Sequence, residues 1–489
     1  MSYLSTKDIV NTNSTRGREI AARSSLSVIL FSCLLLAGSA WTLFKALGAL
    51  APSETECFVG LTLEGLYFAA AIIVRHIRRP IYMFEPYAIV TLIYILVYHV
   101  AAVGQLSLGN VGRYGVDSTR YAFVGCVFVI IGHMMFSFAY SLVKKRRSTR
   151  SSKPFYRDSV CESSVLKVAY VAYICSLVLY LLYQTSRGFS VSYVLSGGLS
   201  SESGLSIGDS PLSFLSYCSY SLIGSWLMIF LYGKNRALKI ATYALMLAIL
   251  FFGGSRAPLL IPIVAPIALV YIRDGKSPSL TNVTIAIALL VLLFAIMQVA
   301  RVGIRAGAGL DLSGETFLSL FEPFYAEIDD FKVYYGLFGT VPDKHSFLFG
   351  SQMLLASITI LIPRAIWQGK PEPQIYDIIN ALYGQRAVAD GVAYPNLGEY
   401  YVEFGFLGIV ACMFILGLVC RYARELYTEG SKRSLSLVLY CLIYPALFQV
   451  IIRGYMPQNF TMLLFLLAPV VTAGILNKAK ARNCKNPSV

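Results

Sequence analysis

Histidine and acidic residues are scarce in this 489-residue chain, which holds four His and 26 Asp plus Glu against 41 Lys plus Arg. His76, His99, His133 and His345 are scattered and form no cluster, which argues against zinc or haem chemistry. The ten cysteines are equally dispersed. Cys33, Cys126, Cys175, Cys218, Cys412 and Cys441 fall inside apolar runs, and Cys161, Cys420 and Cys484 lie at or beyond basic ends. Cys57 stands alone near the other side, so neither a disulfide framework nor a metal-type spacing is present. A nucleotide-binding loop of the Walker type is lacking, as is any internal repeat. Charged residues make up only 14% of the chain and hydrophobic ones 56%, a balance that a soluble domain cannot hide.

What is present is a series of apolar runs, many of them of roughly 20 residues, the length a helix needs to cross about 30 Å of hydrocarbon. They predict an all-α polytopic membrane protein of about twelve spans: 26–49, 57–74, 80–103, 120–143, 164–184, 211–232, 238–253, 257–272, 280–300, 401–420, 434–452 and 458–476. About 25 residues precede the first run and no Ala-x-Ala-like site follows it, so it reads as a span and not a cleaved signal. Lys and Arg density orients the set. Clusters before the first span, after the second, fourth, eighth, tenth and twelfth, and between the sixth and seventh all fall on one side. Both termini are therefore expected in the cytoplasm: a tail 1–25, spans over 26–300, an outer loop 301–400, spans over 401–476, and a tail 477–489. The basic run 144–157 sets topology and meets anionic lipid. Its two aromatics, Phe155 and Tyr156, are adjacent at one end and not interleaved through the basic residues, so it does not suggest nucleic acid.

The outer loop is the departure from this pattern. Between Arg301 and Tyr400 lie 11 of the 26 acidic residues and 7 of the 41 basic ones, 7 − 11 = −4 in a chain of net charge +15. Its one apolar run, Phe347 to Ile362, is short and ends in Pro363-Arg364. It would break the charge parity if it crossed alone, so a re-entrant or interfacial helix is expected. Pro258, Pro262 and Pro266 recur every four residues on one face of the eighth span and should bend it, freeing carbonyls.

Arginine supplies the anion-binding candidates. Arg256 sits in the turn Gly253-Gly254-Ser255-Arg256-Ala257-Pro258, and Arg301 and Arg305 stand four apart where the ninth span emerges. Arg364 and Lys370 flank prolines, and Arg453 lies at the outer end of the eleventh span. A guanidinium fork matches phosphate oxygens bidentately, although such residues also serve as interface anchors. For a general base, Glu399 stands where the loop meets the tenth span, and His345 is the alternative, imidazole being the side chain whose charge changes between about pH 5 and 8. The adjacent pair Asp329-Asp330 would diverge on a helix, a weak metal signal.

Two stretches carry a resemblance. Leu361-Ile362-Pro363-Arg364-Ala365-Ile366-Trp367-Gln368-Gly369-Lys370-Pro371 is similar to the "I-P-R-x-I-W-x-x-K-P" run of Wzy-type oligosaccharide repeat-unit polymerases, which build O-antigen and capsule. Tyr394-Pro395-Asn396-Leu397-Gly398-Glu399-Tyr400-Tyr401-Val402-Glu403-Phe404-Gly405-Phe406-Leu407-Gly408 resembles their "P-x-x-x-G-E-x-Y-x-N-F-G-x-x-G", with Glu403 where Asn is usual. The resemblance implies a fold like that of the O-antigen ligases and a place in the bacterial inner membrane. It implies an inverting, metal-independent transfer between undecaprenyl-pyrophosphate-linked oligosaccharides, without cofactor, alongside a chain-length regulator of the Wzz type. Glu399, His345, Arg256 and Arg301 are then the catalytic candidates. Arg305, Arg364, Lys370, Asn396, Tyr400, Tyr401 and Arg453 would bind pyrophosphate or glycan.

Three other readings stay open at this point. An O-antigen ligase-type transferase differs only in acceptor. A metal-dependent lipid-linked glycosyltransferase would use Glu54 and Glu56. A polysaccharide flippase would use Glu64 and Glu85 as proton relays, but transporters more often show internal repeats and mid-membrane breaks.

Overall fold

The computed structural model describes residues 15–49, 51–107, 109–142, 161–186, 213–252, 257–275, 329–363, 366–389, 391–429 and 434–485, with isolated positions between 278 and 292. Among the described residues helix makes up 82% and strand ~1%. In chain order the helices are α1 (Thr15–Gly48), α2 (Pro52–Arg78), α3 (Pro86–Tyr94), α4 (Ala101–Ser107), α5 (Ala122–Leu142), α6 (Glu162–Ser186), α7 (Cys218–Tyr232), α8 (Arg236–Phe252) and α9 (Ala257–Asp274). They continue with α10 (Asp330–Leu337), α11 (Ile375–Tyr383), α12 (Gln385–Ala389), α13 (Asn396–Glu429), α14 (Leu435–Ile452) and α15 (Met456–Lys485).

Among the described residues nine helical stretches are long and apolar enough to cross a membrane. They coincide with nine of the twelve expected spans. α8 and α9 occupy the seventh and eighth, and of the ninth only the isolated helical positions 282, 285, 289 and 292 are described. Among the boundaries that differ from expectation, two have a clear local cause. The third span starts at Pro86 and not at 80, because Pro80 and the following turn hold the chain out of helix until proline can take the first helical position. The tenth starts at Asn396, before residue 401, and bends at Phe404 and Gly405, where Gly405 has φ 63 and ψ −147. Only glycine adopts that backbone at little cost. The bend separates a short entry helix, 396–403, from the span proper.

Prolines inside the helices leave carbonyls four residues earlier without their usual donor. Pro266 frees the Pro262 carbonyl, which accepts instead from the Tyr243 hydroxyl at 3.2 Å. Pro469 frees the Phe465 carbonyl, which accepts from Ser221 Oγ at 2.7 Å. Neighbouring helices thus repair the breaks, as a water-free environment requires. Glycines set the closest approaches. A Cβ on Gly417 would lie 2.4 Å from the Phe136 carbonyl oxygen, and one on Gly224 would lie 2.2 Å from that of Leu466. Small residues at such crossings let backbones meet where no hydrophobic effect drives helices together.

Three apolar cores follow. One joins α6–α9 with α14 and α15. A second joins α1–α5 with α10 and α13. The third is smaller and packs α10–α12 and residues 341–348 onto the first turns of α13. A two-residue hairpin, β1 (Gly112–Arg113) and β2 (Val116–Asp117), turns through Tyr114 and Gly115 at positive φ. It is tied to α10: Arg113 meets Asp330 at 3.5 Å, and Lys332 Nζ reaches Asp329 at 3.1 Å and the Gly112 carbonyl at 3.4 Å. Burial pushes the Asp329 carboxyl up and the Lys332 ammonium down, and their mutual attraction opposes both shifts. The adjacent pair Asp329-Asp330 is thus occupied by two cations, Lys332 and Arg113.

At the opposite end of the bundle, the ends of α2, α5 and α13 and the start of α3 converge. One oxygen of Glu85 accepts from Arg75 at 3.3 Å and from Tyr140 at 3.0 Å, and it forms an ion pair with Arg424, 2.9 Å away. These are ends that the charge pattern assigns to a single side.

Candidate active site

The site forms where the three cores meet, between the entry helix 396–403, the apolar run after Phe347, and the start of α15. Glu399 and Glu403 stand four apart, so they share a helix face, and both are 0% exposed. They face the segment expected to be re-entrant. That segment is a π-helical turn, Ser351–Ala356, running into one α-helical turn, Ser357–Thr359, too short to cross a bilayer. Its outward residues Leu354, Leu355 and Ile358 are exposed, as is Ile366 beyond it, which gives the segment an apolar outer face.

The two carboxylates clamp this half-helix. The chain arrives with Leu348 and Phe349 donating to the Val402 and Glu403 carbonyls. It turns through Gly350 at φ 89. Glu403 then accepts from the backbone N–H groups of Gly350 and Met353, two of the donors that a helix start leaves without intrahelical partners. Glu399 accepts from Gln352 Nε2 at 2.9 Å and from the Met456 N–H at 3.3 Å, bridging half-helix and α15. The same Gln352 nitrogen donates to the Tyr394 hydroxyl at 2.9 Å. The Gln352 Oε1 is buried and has no partner among the described residues. Burial pushes the Tyr455 phenol up, and the nearby Glu399, Tyr376, Tyr217 and Glu372 add to it. Tyr455, in the α14–α15 turn, therefore lies near this carboxylate.

The other candidates divide by environment. His345 is half-exposed, and its Nδ1 bonds the Ser346 carbonyl at 2.8 Å. A carbonyl only accepts, so in the neutral ring Nδ1 is the donor and Nε2 the acceptor. Asn396 is buried in a pair with Tyr94, donating to its hydroxyl at 2.9 Å. Tyr400 is buried within the same packing. Tyr401 is half-buried, donates to the Val341 carbonyl at 2.9 Å and meets the Phe338 ring edge-on. Arg453 donates to the Gly391 carbonyl at 3.2 Å, and Lys370 to that of Ile362 at 3.2 Å. Arg256, Arg301, Arg305 and Arg364 lie outside the described residues. Glu54 and Glu56 are exposed near the start of α2. Glu64 is buried inside the bundle with neither carboxylate oxygen hydrogen-bonded among the described residues.

Gln352 was missed in the sequence. Its signal was that of a polar residue in the middle of the apolar run 347–362.

A family model described as O-antigen polysaccharide polymerase Wzy matches residues 29–482, nearly the whole chain. The chain belongs to that family. No curated protein and no solved structure gives a match. Family membership fits the arrangement just described, because both resemblance-bearing stretches flank the clamped half-helix. It makes the chain a multi-pass membrane protein of O-antigen repeat-unit polymerisation acting on lipid-linked oligosaccharides.

Proposed function

We propose that this Wzy-family chain joins undecaprenyl-pyrophosphate-linked repeat units at the outer face of the bacterial inner membrane, with both its termini in the cytoplasm. The observation that carries the reading is the family match across 29–482. The charge parity of the spans supports the sidedness.

In this reaction a hydroxyl at the non-reducing end of the next unit attacks the anomeric carbon of the growing glycan. The new C–O bond forms as the bond to the lipid pyrophosphate breaks. The leaving oxygen takes the electron pair, the acceptor proton passes to a base, and the anomeric centre inverts. The pyrophosphate leaving group makes a nucleotide unnecessary. Arg256, Arg301, Arg305 and Arg364 are assigned to the charge that develops on it, through their forked donors.

His345 is assigned as the base in preference to Glu399. A base must come within hydrogen-bond reach of the proton it takes. The partial exposure of His345, and an Nε2 with no hydrogen-bond partner among the described residues, support this role, whereas Glu399 is enclosed by Gln352, Met456 and Tyr394. Glu399 and Glu403 then act as positioning residues that fix the half-helix against the acceptor side of the site.

The test compares His345→Gln and Glu399→Gln in cells able to make and export repeat units. Surface lipid anchors bearing one unit each are expected for His345→Gln, with the protein still in the membrane. Long polymer in that variant removes His345 as the base. Accumulation of units on the cytoplasmic leaflet instead means that the chain moves glycans.

A further inference from the structure

The entry helix 396–403 has a second face that the carboxylate clamp leaves unused. Glu399 and Glu403 point to the half-helix, and Tyr401, two residues from each, points to the opposite side. There it meets the turn that carries His345. Thr340 anchors the start of this turn. It is buried, its Oγ1 donates to the Gly336 carbonyl at 3.1 Å, and the next N–H, that of Val341, donates to the Leu337 carbonyl at 2.8 Å. The Lys344 and His345 N–H groups both return to the Thr340 carbonyl, at 2.8 and 3.0 Å, which closes 340–345 into a loop.

Tyr401 touches both legs of that loop. On the incoming leg its hydroxyl donates to the Val341 carbonyl at 2.9 Å. On the outgoing leg the Phe347 ring stands edge-on to the Tyr401 ring, with centres 5.9 Å apart. The Tyr401 ring is itself set by Phe338, 4.5 Å away and edge-on, and by Phe128 at 6.4 Å. Edge-to-face pairs of this kind favour one arrangement of the rings. The loop tip, Pro342, Asp343 and Lys344, is exposed, so the placement of His345 depends on how its legs are held. A group that must meet a reacting proton needs such support, because a small misplacement weakens catalysis steeply.

We infer that Tyr401 is a positioning residue that sets His345 against the acceptor hydroxyl by bracing both legs of its loop. The inference rests on the reading of His345 as the base. The entry helix then serves the reaction from two sides, with Glu399 and Glu403 fixing the half-helix and Tyr401 fixing the base.

The experiment places the full-length chain in vesicles with undecaprenyl-pyrophosphate-linked repeat units extracted from cells lacking this chain, and follows undecaprenyl pyrophosphate release. Wild type, Tyr401→Phe, His345→Gln and the double variant are compared. Tyr401→Phe keeps the ring contacts and removes only the donor. A base adds about 10²–10⁴ in rate when it is within reach of its proton. A loosened His345 should therefore lower kcat about tenfold, with KM within about twofold of wild type. In the His345→Gln background the same change should alter the residual rate by less than about twofold, because residues that act through one another are not additive. A loss of about tenfold in both backgrounds means that Tyr401 acts independently of His345 and overturns the inference. Wild-type kcat in Tyr401→Phe beside a crippled His345→Gln overturns it too, and leaves the base reading standing. Wild-type turnover in His345→Gln removes the base reading itself, and the inference with it. If Tyr401→Phe fails to accumulate in the membrane, Phe347→Leu loosens the other leg and takes its place, with the same expected pattern and the same refutation.

Discussion

Replacing Glu403 with alanine tests the clamp on the half-helix. In the folded chain the Glu403 carboxylate accepts from the N–H groups of Gly350 and Met353, and the side chain is fully buried. Alanine leaves two buried donors unpaired, at about 1–3 kcal/mol each, so the segment should lose roughly 4 kcal/mol of local stability. Asparagine, the residue more usual at this position in the resembling motif, is one methylene shorter and offers a single carbonyl oxygen. It should serve one donor and cost roughly half as much. Hydrogen exchange reads this directly. Opening the segment about 4 kcal/mol more easily speeds exchange of its amides by two to three orders of magnitude. The measurement is mass-resolved exchange of a peptide covering 350–359 in wild type, Glu403→Asn and Glu403→Ala. Graded acceleration in that order is expected, with α5 and α14 unchanged. Exchange of this peptide within twofold of wild type in Glu403→Ala would refute the clamp.

Three other outcomes are expected. Burial raises Asp329 and lowers Lys332, so each group is costlier charged in the fold than free. Lys332→Met alone should destabilise by about 3 kcal/mol by stranding Asp329, and Lys332→Met with Asp329→Leu should recover most of that in a melting experiment; a double variant no better than the single would show that the pair is not coupled. Ala at Arg256 or Arg301 should abolish polymer while the protein stays in the membrane, with Lys rescuing poorly because an ammonium lacks the fork; full activity in both Lys variants would mean that charge alone suffices. Lys344→Cys, at an exposed position, should react with an impermeant thiol reagent in intact cells. Reaction only after the inner membrane is opened would reverse the topology.

The spans were legible because hydropathy over about 20 residues is a local property, and so was the shortness of the apolar run 347–362. The pairing of Glu399 with Glu403 on one face follows from helical spacing alone. Their partners could not be read in the same way. Gln352 meets Glu399, and Asn396 meets Tyr94, only because helices distant in sequence pack together. Asn396 and Tyr400 carried a binding expectation from their motif, and in the fold both side chains are spent on packing against α3 and its neighbours. The bend at Gly405 moved the start of the tenth span, since a glycine within an apolar run does not announce whether it kinks or continues. In the sequence Glu85 stood only as a proton-relay candidate of the flippase reading. Its role as the shared ion-pair partner of Arg75 and Arg424 depends on α2 and α13 ending side by side.

The central claim is that this chain joins lipid-linked repeat units. The most direct measurement supplies the purified protein in vesicles with its undecaprenyl-pyrophosphate-linked repeat units and no nucleotide, and resolves the glycans by size. A ladder rising by one repeat unit per rung is predicted, with one undecaprenyl pyrophosphate released for each bond formed. Units that stay single, or that cross the bilayer without being joined, would contradict the account.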